Sequence, residues 1–216
     1  MGTVIPLSDA SRRPRSFAVA TALIIAINVL VFVEELLYGN AFVERWAAVP
    51  AAITSGHAWI TIVTAMFLHG GWMHIIGNMV FLWAFGPEVE DAMGHLRYVA
   101  FYFLGGVVAM VVQIAAGPTS TVPCLGASGA IAAVMGAFLV MYPRDRIKSV
   151  LIIVVFITVA QIPAVLLIGV WFLIQLFHAG QVANVQTGGV AYMAHVGGFL
   201  FGVVTARLWR RKPVWG

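Results

Sequence analysis

Ser128 lies in the tetrad Gly126-Ala127-Ser128-Gly129, and His195 in Ala194-His195-Val196-Gly197-Gly198. A serine paired with a histidine base performs acyl transfer, the imidazole taking the hydroxyl proton as the oxygen attacks a carbonyl. Glycines on both sides of Ser128 let other backbone approach the hydroxyl closely. The tetrad equally suits a helix N-cap serine among small packing residues. His195 sits in an apolar stretch, where an ionisable side chain is a functional hypothesis by default. A hydrogen-bonded core histidine and a metal ligand are the other readings of it. His74 and Asn78 are four apart, hence on one helical face. Such side chains can donate hydrogen bonds to an oxyanion, although asparagine also serves as glue between membrane helices.

Metal chemistry fits poorly. The six histidines, His57, His69, His74, His95, His178 and His195, contain no His-x-x-x-His pair, and Cys124 stands alone. The helical His-Glu-x-x-His pattern of metalloproteases is missing. No metal and no cofactor is expected. The acidic residues Asp9, Glu34, Glu35, Glu44, Glu88, Glu90, Asp91 and Asp145 all map to interfaces or loops. None is expected to reach His195, so a third triad member is not expected. Packing and hydrogen bonds must then hold the imidazole.

The elements that position these residues follow from composition. Of 216 residues, 62% are hydrophobic and 9% charged, against about 25% charged in soluble domains. So much apolar surface points to the bilayer as solvent. The net charge of +4 comes from basic clusters between apolar runs, which is membrane topology and not a nucleic-acid surface. The single cysteine excludes an internal disulfide. Arg12, Arg13 and Arg15 precede an apolar run too long for a signal peptide, and no cleavage site is evident. The expected fold is all-α and polytopic, with a tail over 1–16, a six-helix membrane domain over 17–209 and a tail over 210–216. The six spans are placed at about 17–37, 73–88, 97–116, 128–143, 149–177 and 191–208, with a long connection over about 38–71.

The fourth span is short, about 24 Å for sixteen residues. Arg144 marks its inner end, so Ser128 begins it below the outer surface. The stretch Gly117-Pro118-Thr119-Ser120-Thr121-Val122-Pro123 cannot be helix interior. The chain is therefore expected to dip into the membrane and start a helix at the bottom, where free N–H groups favour an anion. At about 1.5 Å per residue, counting from the inner charges puts Ser128, His195, His74 and Asn78 in one layer, about 15–24 Å up. Gly198 and Gly202 form a small-xxx-small face on the side of His195, which would bring His195 against a neighbouring span.

These residues resemble the rhomboid family of intramembrane serine proteases. The resemblance covers about 59–206 and rests on His69, His74-Ile75-Ile76-Gly77-Asn78, Gly126-Ala127-Ser128-Gly129 and Ala194-His195-Val196-Gly197-Gly198-Phe199-Leu200-Phe201-Gly202. It implies Ser128 as nucleophile and His195 as base. It also implies an oxyanion site from the Ser128 N–H with the His74 and Asn78 side chains. Gly126 would be the glycine of the Gly-x-Ser motif, with His69 in support. Two positions depart from the family. Ala132 stands where an aromatic residue often packs on the histidine, and Ala58-Trp59-Ile60 replaces a Trp-Arg pair of the first outer loop.

The function expected is a serine endopeptidase cleaving transmembrane segments of membrane proteins near the outer face. Its partners are the lipid bilayer and substrates with a transmembrane helix; nucleic acid is not one, and the oligomeric state is open. A non-catalytic rhomboid-like protein that escorts helices is the main alternative, disfavoured by retention of serine and histidine. A transporter would want charge at mid-depth or paired broken helices. A bacterial inner membrane is the expected location. Eleven of twelve Lys and Arg residues fall on one side, which predicts both termini inside. Reporter fusions at each terminus should give a cytoplasmic signal; an external signal from either would contradict this topology.

Overall fold

The computed structural model describes residues 3–153, 156–182 and 191–211. Helix α1 (Val19–Tyr38) buries Ala20, Ile24, Asn28, Phe32 and Glu35, a stripe at helical spacing. Off that stripe Leu30 and Leu37 are 65% and 71% exposed, an apolar surface that suits lipid and not water. The long connection carries three short helices, α2 (Asn40–Trp46), α3 (Pro50–Thr54) and α4 (Thr61–Thr64), and a 3-10 turn over Ala65–Phe67. Then come α5 (Trp72–Met93), α6 (His95–Ala116), α7 (Ser128–Met141), α8 (Ala164–Val182) and α9 (Tyr192–Trp209).

Among the described residues, α1, α6 and α8 are long and apolar enough to cross a bilayer. A fourth crossing is reached if α5 is joined to Thr61–Phe67, which meets it at 91°. The 14 residues of α7 reach only about 21 Å, and polar groups and glycines dilute the hydropathy of α5 and α9.

The all-α expectation is corrected by a three-stranded antiparallel sheet, ordered β1 (Thr3–Asp9), β2 (Arg146–Ile153), β3 (Phe156–Pro163). Residues 149–153 and 156–163, expected in the fifth span, belong to β2 and β3, and the helix long and apolar enough to cross there is α8. Residues 3–9, expected as a tail, pair with β2, Ile5 opposite Val150. Val150 in turn faces Val159. Branched side chains such as these pack well on a pleated surface and lose rotamer freedom in a helix.

The sheet sits at the bundle end where α1 begins and α5 and α7 finish. There the Glu90 carboxylate accepts the N–H groups of Ala20 and Thr21 at 2.8 and 2.7 Å, and the Thr21 hydroxyl at 2.7 Å. A carboxylate at a helix start satisfies orphan donors and the local dipole. Arg211 donates its backbone N–H to the Ala92 carbonyl at 2.9 Å, tying the end of α9 to α5.

The closest helix contact is between α7 and α9. A Cβ on Gly198 would collide with the Gly129 carbonyl, on Gly202 with the Ala133 carbonyl, and on Gly136 with the Phe199 carbonyl. The two backbones therefore touch, which only glycine allows. An added methyl group at such a contact costs about 1–3 kcal/mol.

Arg12 bridges the sheet to the bundle. It pairs with Asp145 and lies 3.9 Å over the Tyr142 ring. The guanidinium holds the Asp145 carboxyl below the usual range. Burial pushes Asp9 up to about 6, so Asp9 is the member of the pair that takes up a proton first as pH falls. A raised carboxyl stabilises fully below its unfolded value, near 3.8, and loses that contribution as pH rises through about 6. Asp145, with its lowered carboxyl, behaves oppositely: its contribution is lost as pH falls. Asp9→Asn keeps an acceptor for the Ser11 N–H, now 2.6 Å from Asp9 Oδ1. The Tm of Asp9→Asn relative to wild type, in detergent, should therefore be higher at pH 8 than at pH 4.5. An equal difference at both values would contradict the assignment.

Candidate active site

Ser128 is the first residue of α7, and the chain before it is non-helical from Gly117 to Ala127. Backbone polar groups in such a place must find protein partners. Ala48 and Cys124 exchange N–H···O bonds of 3.0 and 2.7 Å, Ala51 donates to the Ser120 carbonyl at 2.9 Å, and Gly126 donates to the Ala65 carbonyl at 2.8 Å. The long connection thus lines the segment that delivers Ser128. Gly126 has φ +124°, and a Cβ there would stand 2.8 Å from His74 Nε2 and 3.6 Å from Ser128 Oγ. Both the conformation and the approach of His74 require glycine.

His195 enters from α9, three residues before Gly198, whose partner Gly129 follows Ser128. The glycine contact between the helices therefore aligns the two side chains. His195 Nε2 lies 2.6 Å from Ser128 Oγ, and Nδ1 lies 2.7 Å from Gln175 Oε1 on α8. An amide oxygen only accepts, so Nδ1 carries the proton and Nε2 is free to receive one from the hydroxyl. Trp171, one turn before Gln175, has its ring centroid 5.7 Å from that of His195, and Tyr192 lies at 6.3 Å on the other element. Ala132 is fully buried; aromatic packing on the histidine comes from Trp171 and Tyr192. Neither of these residues, nor Gln175, was expected from sequence. A Trp and a Gln four apart in an apolar helix were the available signal. The Gln113 side chain accepts the Ala194 N–H at 3.1 Å, fixing the first turn of α9 to α6.

His74 is drawn to the same point from α5. Its Nδ1 accepts the Gly70 N–H at 3.3 Å, so Nε2 carries hydrogen, and Nε2 is the atom beside Gly126. Asn78 lies one turn further along α5, buried, its Nδ2 without an acceptor among the described residues. His69 packs edge-on behind His74 with ring centroids 5.1 Å apart. The backbone N–H of His69 donates to the Glu35 carboxylate at 3.0 and 3.2 Å. Glu35, at the end of α1 nearest the site, is thus engaged with the loop and not with His195. Among the described residues no three His, Cys, Asp or Glu side chains are grouped as metal ligands.

A cavity of about 20 Å³, bordered by Ser128, Gly126, Gly129, Ala191 and Ala194, has room for about one water molecule. A serine with an adjacent unprotonated histidine nitrogen, a helix start and an imidazole N–H can support addition to a carbonyl and stabilise the resulting oxyanion. Gly126→Ala should push His74 away and strain the turn. Phosphonylation of Ser128 by a fluorophosphonate should slow by about a hundredfold or more, the size of losing one oxyanion donor. A change below twofold in a folded variant would remove Gly126 and His74 from the site.

Comparison with known proteins places this geometry in context. Residues 56–212 match the Rhomboid domain family. The chain is 34% identical over 157 residues to Rhomboid-like protease 5 of Toxoplasma gondii, covering 68% of this chain and 16% of that protein. It is 30% identical over 148 residues to Presenilin-associated rhomboid-like protein A, mitochondrial, of Danio rerio, covering 67% of this chain and 36% of that protein. Rhomboid protease GluP of Bacillus subtilis (strain 168) is 30% identical over 130 residues, covering 58% of this chain and 25% of that protein. The chain thus spans well under two thirds of the length of each of these relatives. With the domain match covering most of the chain and a mostly helical, lipid-facing structure beneath it, this integral membrane protein belongs to the rhomboid family.

Proposed function

We propose that this protein is an intramembrane serine endopeptidase that cleaves transmembrane segments of other membrane proteins near the outer membrane face. One contact carries the proposal: the 2.6 Å approach of His195 Nε2 to Ser128 Oγ, at the first residue of a helix set below a backbone dip. In this reading six segments traverse the bilayer, with the sheet and the basic clusters on the cytoplasmic side of a bacterial inner membrane.

The chemistry follows from the side chains. His195 Nε2 takes the Ser128 proton as Oγ attacks the scissile carbonyl carbon. The carbonyl oxygen becomes an oxyanion, met by the Ser128 N–H, which as the first of its helix has no carbonyl one turn earlier. His74 Nε2–H and Asn78 Nδ2–H supply further donors. Protonated His195 then returns its proton to the leaving amine, releasing one product and an acyl ester on Ser128. Water, for which the adjoining cavity has room, gives its proton to His195 and adds to the ester. The tetrahedral species collapses to the carboxylate product and restores Ser128. The substrate peptide must be unwound at the cut, because helical carbonyls are engaged and shielded from attack.

Purified protein in proteoliposomes should cleave at least one of a panel of single-span membrane substrates, and Ser128→Ala should abolish cleavage. Near-normal turnover by Ser128→Ala would overturn the proposal. Binding of the panel without any cleavage by wild type would favour the helix-escort alternative.

A further inference from the structure

Gln175 is the residue on α8 whose chemistry touches the site without a role in the steps above. It is buried, at 8% exposure, in a mostly apolar helix, and its Oε1 lies 2.7 Å from His195 Nδ1. An imidazole has two tautomers, and the wrong one presents an N–H to Ser128 and cannot accept its proton. Packing cannot distinguish them, because the two differ by a hydrogen position alone. Trp171 and Tyr192 restrain the ring plane, whereas an acceptor at Nδ1 selects the tautomer.

We propose that Gln175 is a positioning residue that holds His195 in the Nδ1–H tautomer, doing with a neutral amide what a triad aspartate does with a charge. This rests on the Ser128–His195 chemistry proposed above. A neutral acceptor orients the ring but offers no full negative charge to the imidazolium that forms. The other titratable groups around His195 are His74 on α5, His178 on α8, which stacks on Tyr192, and Tyr192 itself. Among the described residues no carboxylate hydrogen-bonds to His195. A carboxylate at position 175 would therefore be a new charge at the ring.

The test compares wild type, Gln175→Met and Gln175→Glu in proteoliposomes with a single-span substrate, each normalised to the fraction phosphonylated at Ser128. Gln175→Met keeps helix propensity and similar bulk and loses the acceptor. Its kcat should fall by about tenfold to a hundredfold with KM within about twofold, less than the ten-thousandfold loss when a triad aspartate becomes an amide. Gln175→Glu should retain most of the wild-type kcat and move the acidic limb of the pH–kcat/KM profile upward, since a nearby negative charge favours imidazolium. A merely structural glutamine would lower the phosphonylated fraction and leave that limb in place. Wild-type kcat in folded Gln175→Met, or equal losses in both variants with no shift of the limb, would overturn the proposal alone. A wild type that neither cleaves nor takes the label at Ser128 would overturn the protease reading and this proposal with it.

Discussion

The contact on which the rest of the site depends is the backbone-to-backbone approach of α7 and α9. In lipid, apolar side chains gain nothing by leaving their surroundings for one another, so helices associate through close packing and hydrogen bonds. Gly198 against the Gly129 carbonyl, and Gly202 against the Ala133 carbonyl, permit the closest packing a chain can make. The first of these contacts also lies one residue after Ser128 and three after His195. Registering the glycines therefore registers the serine and the histidine, and the 2.6 Å contact between them follows from helix geometry.

Two further constraints hold the ends of the bundle. At the end of the bundle where α7 begins, the segment before Ser128 is not regular structure, yet its amides and carbonyls pair with the chain at Ala48, Ala51 and Ala65. Those pairings explain why a long, apparently shapeless connection is present at all. At the opposite end Glu90 closes the start of α1, and the sheet, with Arg12 and Asp145 paired beside it, closes the ends of α5 and α7. The surface between is rich in exposed apolar side chains such as Leu23, Leu30 and Val204, which suits lipid and not water.

Much of the candidate site was legible because it puts unusual polar residues into apolar stretches. Ser128, His195, His74 and Asn78 stood out as polar groups at one depth, and the Gly-Pro-rich stretch before Ser128 marked a helix start there. The sheet was not legible. Residues 150–157 form a continuous apolar run without useful alternation, and such a run reads equally as buried helix or strand. Its richness in valine and isoleucine was the neglected signal. Strand β1 was hidden differently: seven residues with a proline among them look like a polar tail until β2 is known to lie beside them. Gln175 was missed because a single glutamine in a helix has no meaning until the rotation of that helix is known. The absence of an aromatic residue at Ala132 looked like a loss of support for His195, and the structure supplies that support from α8 and Tyr192.

The most direct measurement is peptide mapping of the protein after reaction with a fluorophosphonate, which modifies a serine only when an adjacent base activates it. The account predicts one modified peptide, carrying the added mass on Ser128, and near-complete loss of that modification in His195→Ala. Modification spread over other serines, or unchanged labelling of Ser128 in folded His195→Ala, would contradict it.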